Sequence, residues 1–180
     1  MADVTSVASP LVSERDMADV VQITIASRGG PKLKLAQKLD IADSYICLSE
    51  TEPEVQLSAL KEAHPYGFDV VVEATGAHQV LEDSINYVRK GGKLIVYGVY
   101  SERAKVAWSP MKIWSDEITI LASFCETLMF PTAIDYLEAR KVRVDGIANG
   151  IYRIEEWDKC LEAVRKQAVV KAVIVFDNHG

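Results

Sequence analysis

Apolar and polar positions fall in blocks along this chain, and the blocks change period. Val20–Ser27 (VVQITIAS) is rich in β-branched residues, which suit a pleated surface, and predicts a strand. Gly29-Gly30 turns the chain, and Pro31 opens a helix to about Leu39, where proline's fixed φ fits a first turn. Ser44–Leu48 reads as a short strand. Thr51 and Glu54 have the spacing of a capping box, opening a helix that ends before Pro65. Phe68–Glu73 (FDVVVE) is a strand-length apolar run, after which Leu81, Ile85 and Val88 share a helical face as far as Gly91-Gly92. Lys93–Val99 (KLIVYGV) and Glu117–Ser123 (EITILAS) predict strands on either side of an irregular stretch, 100–116, that holds Trp108, Pro110 and Trp114. A helix to about Arg140 follows, with Phe130, Ile134 and Leu137 on one face. A strand near Gly146–Tyr152, a helix with Ile154, Trp157, Leu161 and Val164 at helical spacing, and a strand Val169–Phe176 complete the pattern.

Strands without period-two alternation, separated by amphipathic helices, indicate a parallel sheet covered on both faces. The fold class is α/β, a Rossmann-like three-layer arrangement occupying residues 19–180. Residues 1–18 show no period and read as a poorly ordered or improvised leader.

Composition narrows the function classes. The 180 residues are 49% apolar and 26% charged, enough for one domain with a sizeable core. A formal net charge of −6 leaves no electrostatic footprint for nucleic acid or anionic lipid. The longest apolar runs are strand-length, too short for a bilayer, and the first residues lack the pattern of a signal peptide. Cys47, Cys125 and Cys160 are widely spaced and odd in number, which fits reduced thiols in the cytoplasm. His64, His78 and His179 have no metal-ligand spacing with them, so no metal site is expected.

Phe68-Asp69-Val70-Val71-Val72-Glu73-Ala74-Thr75-Gly76, then Arg89-Lys90-Gly91-Gly92-Lys93-Leu94-Ile95-Val96-Tyr97-Gly98, form a specific pair of motifs. With Ala122-Ser123-Phe124, Gly150 and Lys171–Val175, they resemble the nucleotide-binding domain of zinc-dependent medium-chain alcohol and polyol dehydrogenases, the sorbitol and arabinitol branch in particular. The resemblance covers about Ala18 to Phe176. It implies that Thr75-Gly76, Gly98-Val99 and Ala122-Ser123-Phe124 border a dinucleotide at strand ends, and that Lys171 matches a basic position facing its pyrophosphate. Glu117–Ser123, with Ala104–Trp108 before it, matches the edge that such enzymes pair across a two-fold axis, so a homodimer is expected.

Measured against that family, the fold would lack the first β-turn-α unit and the N-terminal catalytic domain. No Gly-x-Gly occurs at any position, so the turn that brings backbone against pyrophosphate is not present in this sequence. At the end of the second strand, Ser27-Arg28 stands where an acidic residue would read the ribose 2′-hydroxyl, which suggests a vestigial preference for NADP in a chain otherwise expected to use no cofactor. These absences point to a repurposed small-molecule enzyme of non-redox type, isomerase- or cyclase-like, working in the vestigial cleft. The other readings are a non-catalytic dimerisation or binding module, and an inactive NADP-dependent oxidoreductase. In the repurposed cleft Glu73, His78, Asp116 and Glu126 are the acid–base candidates. Tyr97, Tyr100, Trp108, Trp114, Phe124 and Phe130 would form aromatic walls around the substrate, and burial beside Trp108 or Trp114 would raise the pKa of Asp116 or Glu126.

Overall fold

The computed structural model describes residues 22–124 and 128–176. The leader over 1–18, Cys125, Glu126 and His179 lie outside the described residues. Among the described residues fifteen elements follow one another, of which seven are strands: β1 (Thr24–Arg28), β2 (Ser44–Leu48), β3 (Phe68–Glu73), β4 (Val88–Val96), β5 (Thr119–Ala122), β6 (Ala148–Arg153) and β7 (Lys171–Val175). The α-helices are α1 (Pro31–Leu39), α2 (Pro53–Ala63), α3 (His78–Ser84), α4 (Pro110–Ser115), α5 (Phe130–Glu138) and α6 (Trp157–Arg165), and two single turns of 3₁₀ helix precede β4 and α6.

Every ladder is parallel, and the strands form three groups: β1-β2, β3-β4-β5 and β6-β7. Side chains of β1 and β3 line one cavity, so β1 lies between β2 and β3. Passing from β1 to β2 and from β3 to β4 therefore moves in opposite directions across the layer. Right-handed crossovers then place α1 and α3 on opposite faces, which gives the three layers of a doubly wound fold. Val71, Leu81, Ile85, Val88, Leu94 and Ile118 form the buried core between β3, β4 and the α3 side.

Three sequence expectations shift. The helix expected to run to Gly91-Gly92 stops at Ser84, and β4 begins at Val88 and passes through both glycines. The glycines permit this: Gly91 has φ +69°, and a Cβ on Gly92 would press within 2.7 Å of Val88 Cγ1, at the point where the β3–β4 register shifts. The Thr51–Glu54 capping box does not form, because α2 begins one residue later, on Pro53, with Glu52 at the N-cap. Ser49 Oγ instead accepts from the Thr51 and Glu52 amides at 3.3 and 3.1 Å. The irregular stretch 100–116 contains a short helix, α4, whose N-cap Ser109 accepts from the Lys112 amide.

Candidate functional site

The carboxyl ends of β3 and β4 interlock. Glu73, the last residue of β3, is completely buried. Its Oε1 accepts from the Thr75 amide at 2.6 Å and from the Thr75 hydroxyl, and Thr75 Oγ1 in turn accepts from the Ala77 amide at 3.0 Å. Its main-chain oxygen accepts from the Tyr97 and Gly98 amides, both at 2.9 Å. One residue thus fastens the loop after β3 to the loop after β4. Only glycine fits where those loops touch: a Cβ on Gly76 (φ +76°) would strike the Val99 carbonyl, and one on Gly98 would lie 2.8 Å from Glu73 Oε2. Glu73 Oε2 itself has no hydrogen-bond partner. Glu73 is therefore a loop-fastening residue with no solvent access, which removes it from the acid–base roles expected of it.

The other candidates separate into two ends of the sheet. Tyr97 and Phe124 follow β4 and β5 at the carboxyl end and are largely exposed, at 65% and 89%. His78, exposed, opens α3 just beyond Thr75-Gly76. Asp116 lies at the opposite, amino end: its carbonyl accepts from the Gly91 amide at 2.7 Å, near the start of β4. Its carboxylate takes Lys112 Nζ at 3.0 Å and Lys90 Nζ at 3.9 Å. The hydrogen bond from Lys112 is the main cause that holds its pKa below the usual carboxylate range, against partial desolvation. The expectation of a raised pKa for Asp116 is overturned, because Lys112 of α4 and Lys90 of β4 favour the charged carboxylate more than desolvation disfavours it.

The expected aromatic wall does not assemble either. Trp108 and Tyr100 pack on the β3–β4 core, and the Trp108 indole donates to the Glu82 carbonyl of α3 at 3.1 Å. Trp114, on α4 at the amino end, is 73% exposed, and Phe130 starts α5 with its ring exposed. Tryptophans spaced six residues apart gave no indication that one would anchor a loop to α3 and the other face outward.

At the carboxyl end of β1, Ser27 Oγ donates to the Arg28 carbonyl at 3.1 Å, and Arg28 Nε is buried without a partner. Gly29-Gly30 follows, with Gly30 at the turn before α1. Lys171 opens β7 in the separate β6–β7 pair, where its amide is 3.4 Å from Asn149 Oδ1 and its side chain is exposed. Among the described residues no three His, Cys, Asp or Glu side chains gather where a metal ion could be held, so those residues do not fit a zinc centre. Among them, too, no helix is long and apolar enough to cross a membrane.

Residues 16–139 match the model of the family described as zinc-binding dehydrogenase. The chain belongs to that family. It is 45% identical over 153 residues to D-arabinitol dehydrogenase 1 of Uromyces fabae, an alignment covering 85% of this chain and 44% of that protein. The erythritol/L-threitol dehydrogenase of Mycolicibacterium smegmatis is 33% identical over 74% of this chain and 36% of its own length. The fold agrees with a crystal structure of short chain alcohol dehydrogenase from E. coli CFT073 complexed with NADH, at TM-score 0.74 and 18% identity, over 88% of this chain and 45% of that one. The chain thus corresponds to a nucleotide-binding domain of the zinc-binding dehydrogenases and spans less than half the length of these relatives. The isomerase- or cyclase-like expectation is corrected by the same comparisons, since the relatives are named as polyol dehydrogenases.

Proposed function

We propose that this chain supplies the nucleotide-holding part of an NADP-linked polyol dehydrogenase. The observation that carries the reading is the Ser27-Arg28 strand end, with a buried and unpartnered Arg28 Nε, in a chain 45% identical to an arabinitol dehydrogenase. A guanidinium at this point of a doubly wound sheet suits a 2′-phosphate, whose oxygens take its N–H groups pairwise. Ser27 and Arg28 would hold the adenosine end, while the backbone around Thr75-Gly76, Gly98-Val99 and Ala122–Phe124 would border the nicotinamide end. Lys171 is the candidate counter-ion for the pyrophosphate. The nucleotide, when bound, supplies the hydride acceptor for a secondary alcohol of a polyol. The chain's own contribution is to fix the loops against which it rests, through Glu73 and the two close glycines.

Two assembly properties belong to the same reading. β5 is the outer strand of its group and leaves Leu121 exposed, an edge suited to pairing with a second copy into a homodimer. Cys47 and Cys160 are free thiols, consistent with a cytoplasmic setting.

Calorimetric titration of the full chain with NADP and NAD tests the proposal. NADP should bind about tenfold tighter, a difference of about 1.4 kcal/mol, and Arg28→Gln should erase the preference while leaving NAD affinity unchanged. Equal affinities in the starting protein would dismiss it.

A further inference from the structure

Asn149 lies in β6 where the β6–β7 register shifts: Ala148 pairs with Lys171, and Gly150 with Ala172. One residue of β6 is therefore extra to the ladder, as in a β-bulge. The side chain of that residue is bonded to the opposite strand. Asn149 Oδ1 accepts from the Val170 amide at 2.8 Å and from the Lys171 amide at 3.4 Å. These are the last main-chain donor before β7 and the first within it. Gly150 adds a constraint at the same place, because a Cβ there would lie 2.8 Å from Val169 Cγ1. Asn149 is exposed, so its contribution comes from these polar bonds and not from filling a core.

We propose that Asn149 is a positioning residue for Lys171: by fixing the register of β7 it sets the face of the strand from which the ammonium points. The inference rests on the nucleotide reading, in which Lys171 is the counter-ion of the pyrophosphate. Successive side chains of a strand point to opposite faces, so a slip of one residue would exchange the places of Lys171 and Ala172. Nothing in the burial of β7 opposes such a slip. Ala172, Val173 and Ile174 are half-buried in succession, without alternation, so the hydrophobic pattern does not select one register over the next. The two bonds to Asn149 Oδ1 do select, because each amide has one place in the chain. Alanine at 149 would leave both amides to water and free the start of β7. Arg28 belongs to β1, in a separate ladder, so the adenosine end of the site does not depend on this register.

Calorimetry of the full chain with two ligands tests the proposal. NADP carries the pyrophosphate between its two halves; adenosine 2′-monophosphate carries the adenosine end alone. Asn149→Ala and Lys171→Ala should each weaken NADP binding about tenfold and leave the affinity for adenosine 2′-monophosphate unchanged. The double variant should lose no more than Lys171→Ala alone, because both changes remove the same interaction. Additive losses overturn the proposal, and so does unchanged NADP binding by either single variant. An equal loss of both ligands by Asn149→Ala, through local damage or failure to fold, makes the residue merely structural and overturns it too. Failure of the nucleotide reading looks different: the starting protein would then bind neither ligand, and the role of Asn149 would fall with it.

Discussion

In the β3-β4-β5 unit Leu94 is wholly enclosed, and Leu81, Ile85 and Val88 close over it from the α3 side. In the unit running from α5 to β7, the matching stripe of Ile154, Trp157 and Val164 faces outward, with Trp157 49% exposed. Helix α5 buries none of its residues fully, and Phe130, Ile134 and Leu137 are all exposed, although they share a helical face. Both units carry hydrophobic spacing of the same kind. Period alone reports that a face is apolar; it does not report what covers it. Exposed apolar faces of this kind are where proteins commonly meet other protein.

The comparison has sharp consequences for stability. Leu94→Ala should cost about 3 kcal/mol, the usual penalty for a buried leucine whose neighbours cannot collapse into the gap. Trp157→Ala, a larger truncation, should cost less than about 1 kcal/mol in the isolated chain, because half of its surface is already wet. Urea denaturation of both variants measures this. If the tryptophan proves as costly as the leucine, the contrast between the two units is lost.

A second consequence concerns the interlocked loops. Gly76→Ala should cost about 2 kcal/mol, since the residue sits at φ +76° and its Cβ would enter the Val99 carbonyl. The same change at Gly30, where φ is +150° but nothing lies within contact of a Cβ, should cost less. Thermal melts of the two variants would reverse the ranking if the loop contact yields easily.

The smallest expected effect is one of pH. Burial, then the charge of Asp83 and its hydrogen bond, push the Tyr87 phenol up to about 12. The folded chain holds this proton more tightly than the unfolded chain does. The contribution is therefore fully present below about pH 10 and is lost as pH rises towards 12. Tyr87→Phe should flatten the alkaline fall in melting temperature between those values, and an unchanged alkaline limb would discount the tyrosine.

The order of elements was legible in the sequence because β-branched runs and helical spacing are local signals. Ser44–Leu48 and Phe68–Glu73 appear with the bounds their composition suggests. The end of α3 was not legible: Leu81, Ile85 and Val88 keep helical spacing across a turn of 3₁₀ helix and into β4, since all three face the same core. In the candidate site, the motif Glu73-Ala74-Thr75-Gly76 marked the right strand end. The role of Glu73 was hidden, because the donors that enclose its carboxyl group and backbone come from turn geometry and from β4. Asp116 and Trp114 were placed at the wrong end of the sheet, since a sequence gives the residues between two parallel strands but not the point at which the connection crosses back.

Arg143 joins distant parts of the chain. Its Nη1 donates to the Leu39 carbonyl at 2.6 Å across 104 residues, and Nη2 to that of Asp40 at 3.4 Å, so it ties the end of α1 to the loop after α5. Closing so long a loop is entropically costly, and contacts of this separation form after the local βαβ pairings have been made. In kinetic terms the arginine acts as a latch set late. Its removal should leave the refolding rate nearly unchanged and speed unfolding, so the chain would assemble as before but stay assembled for a shorter time.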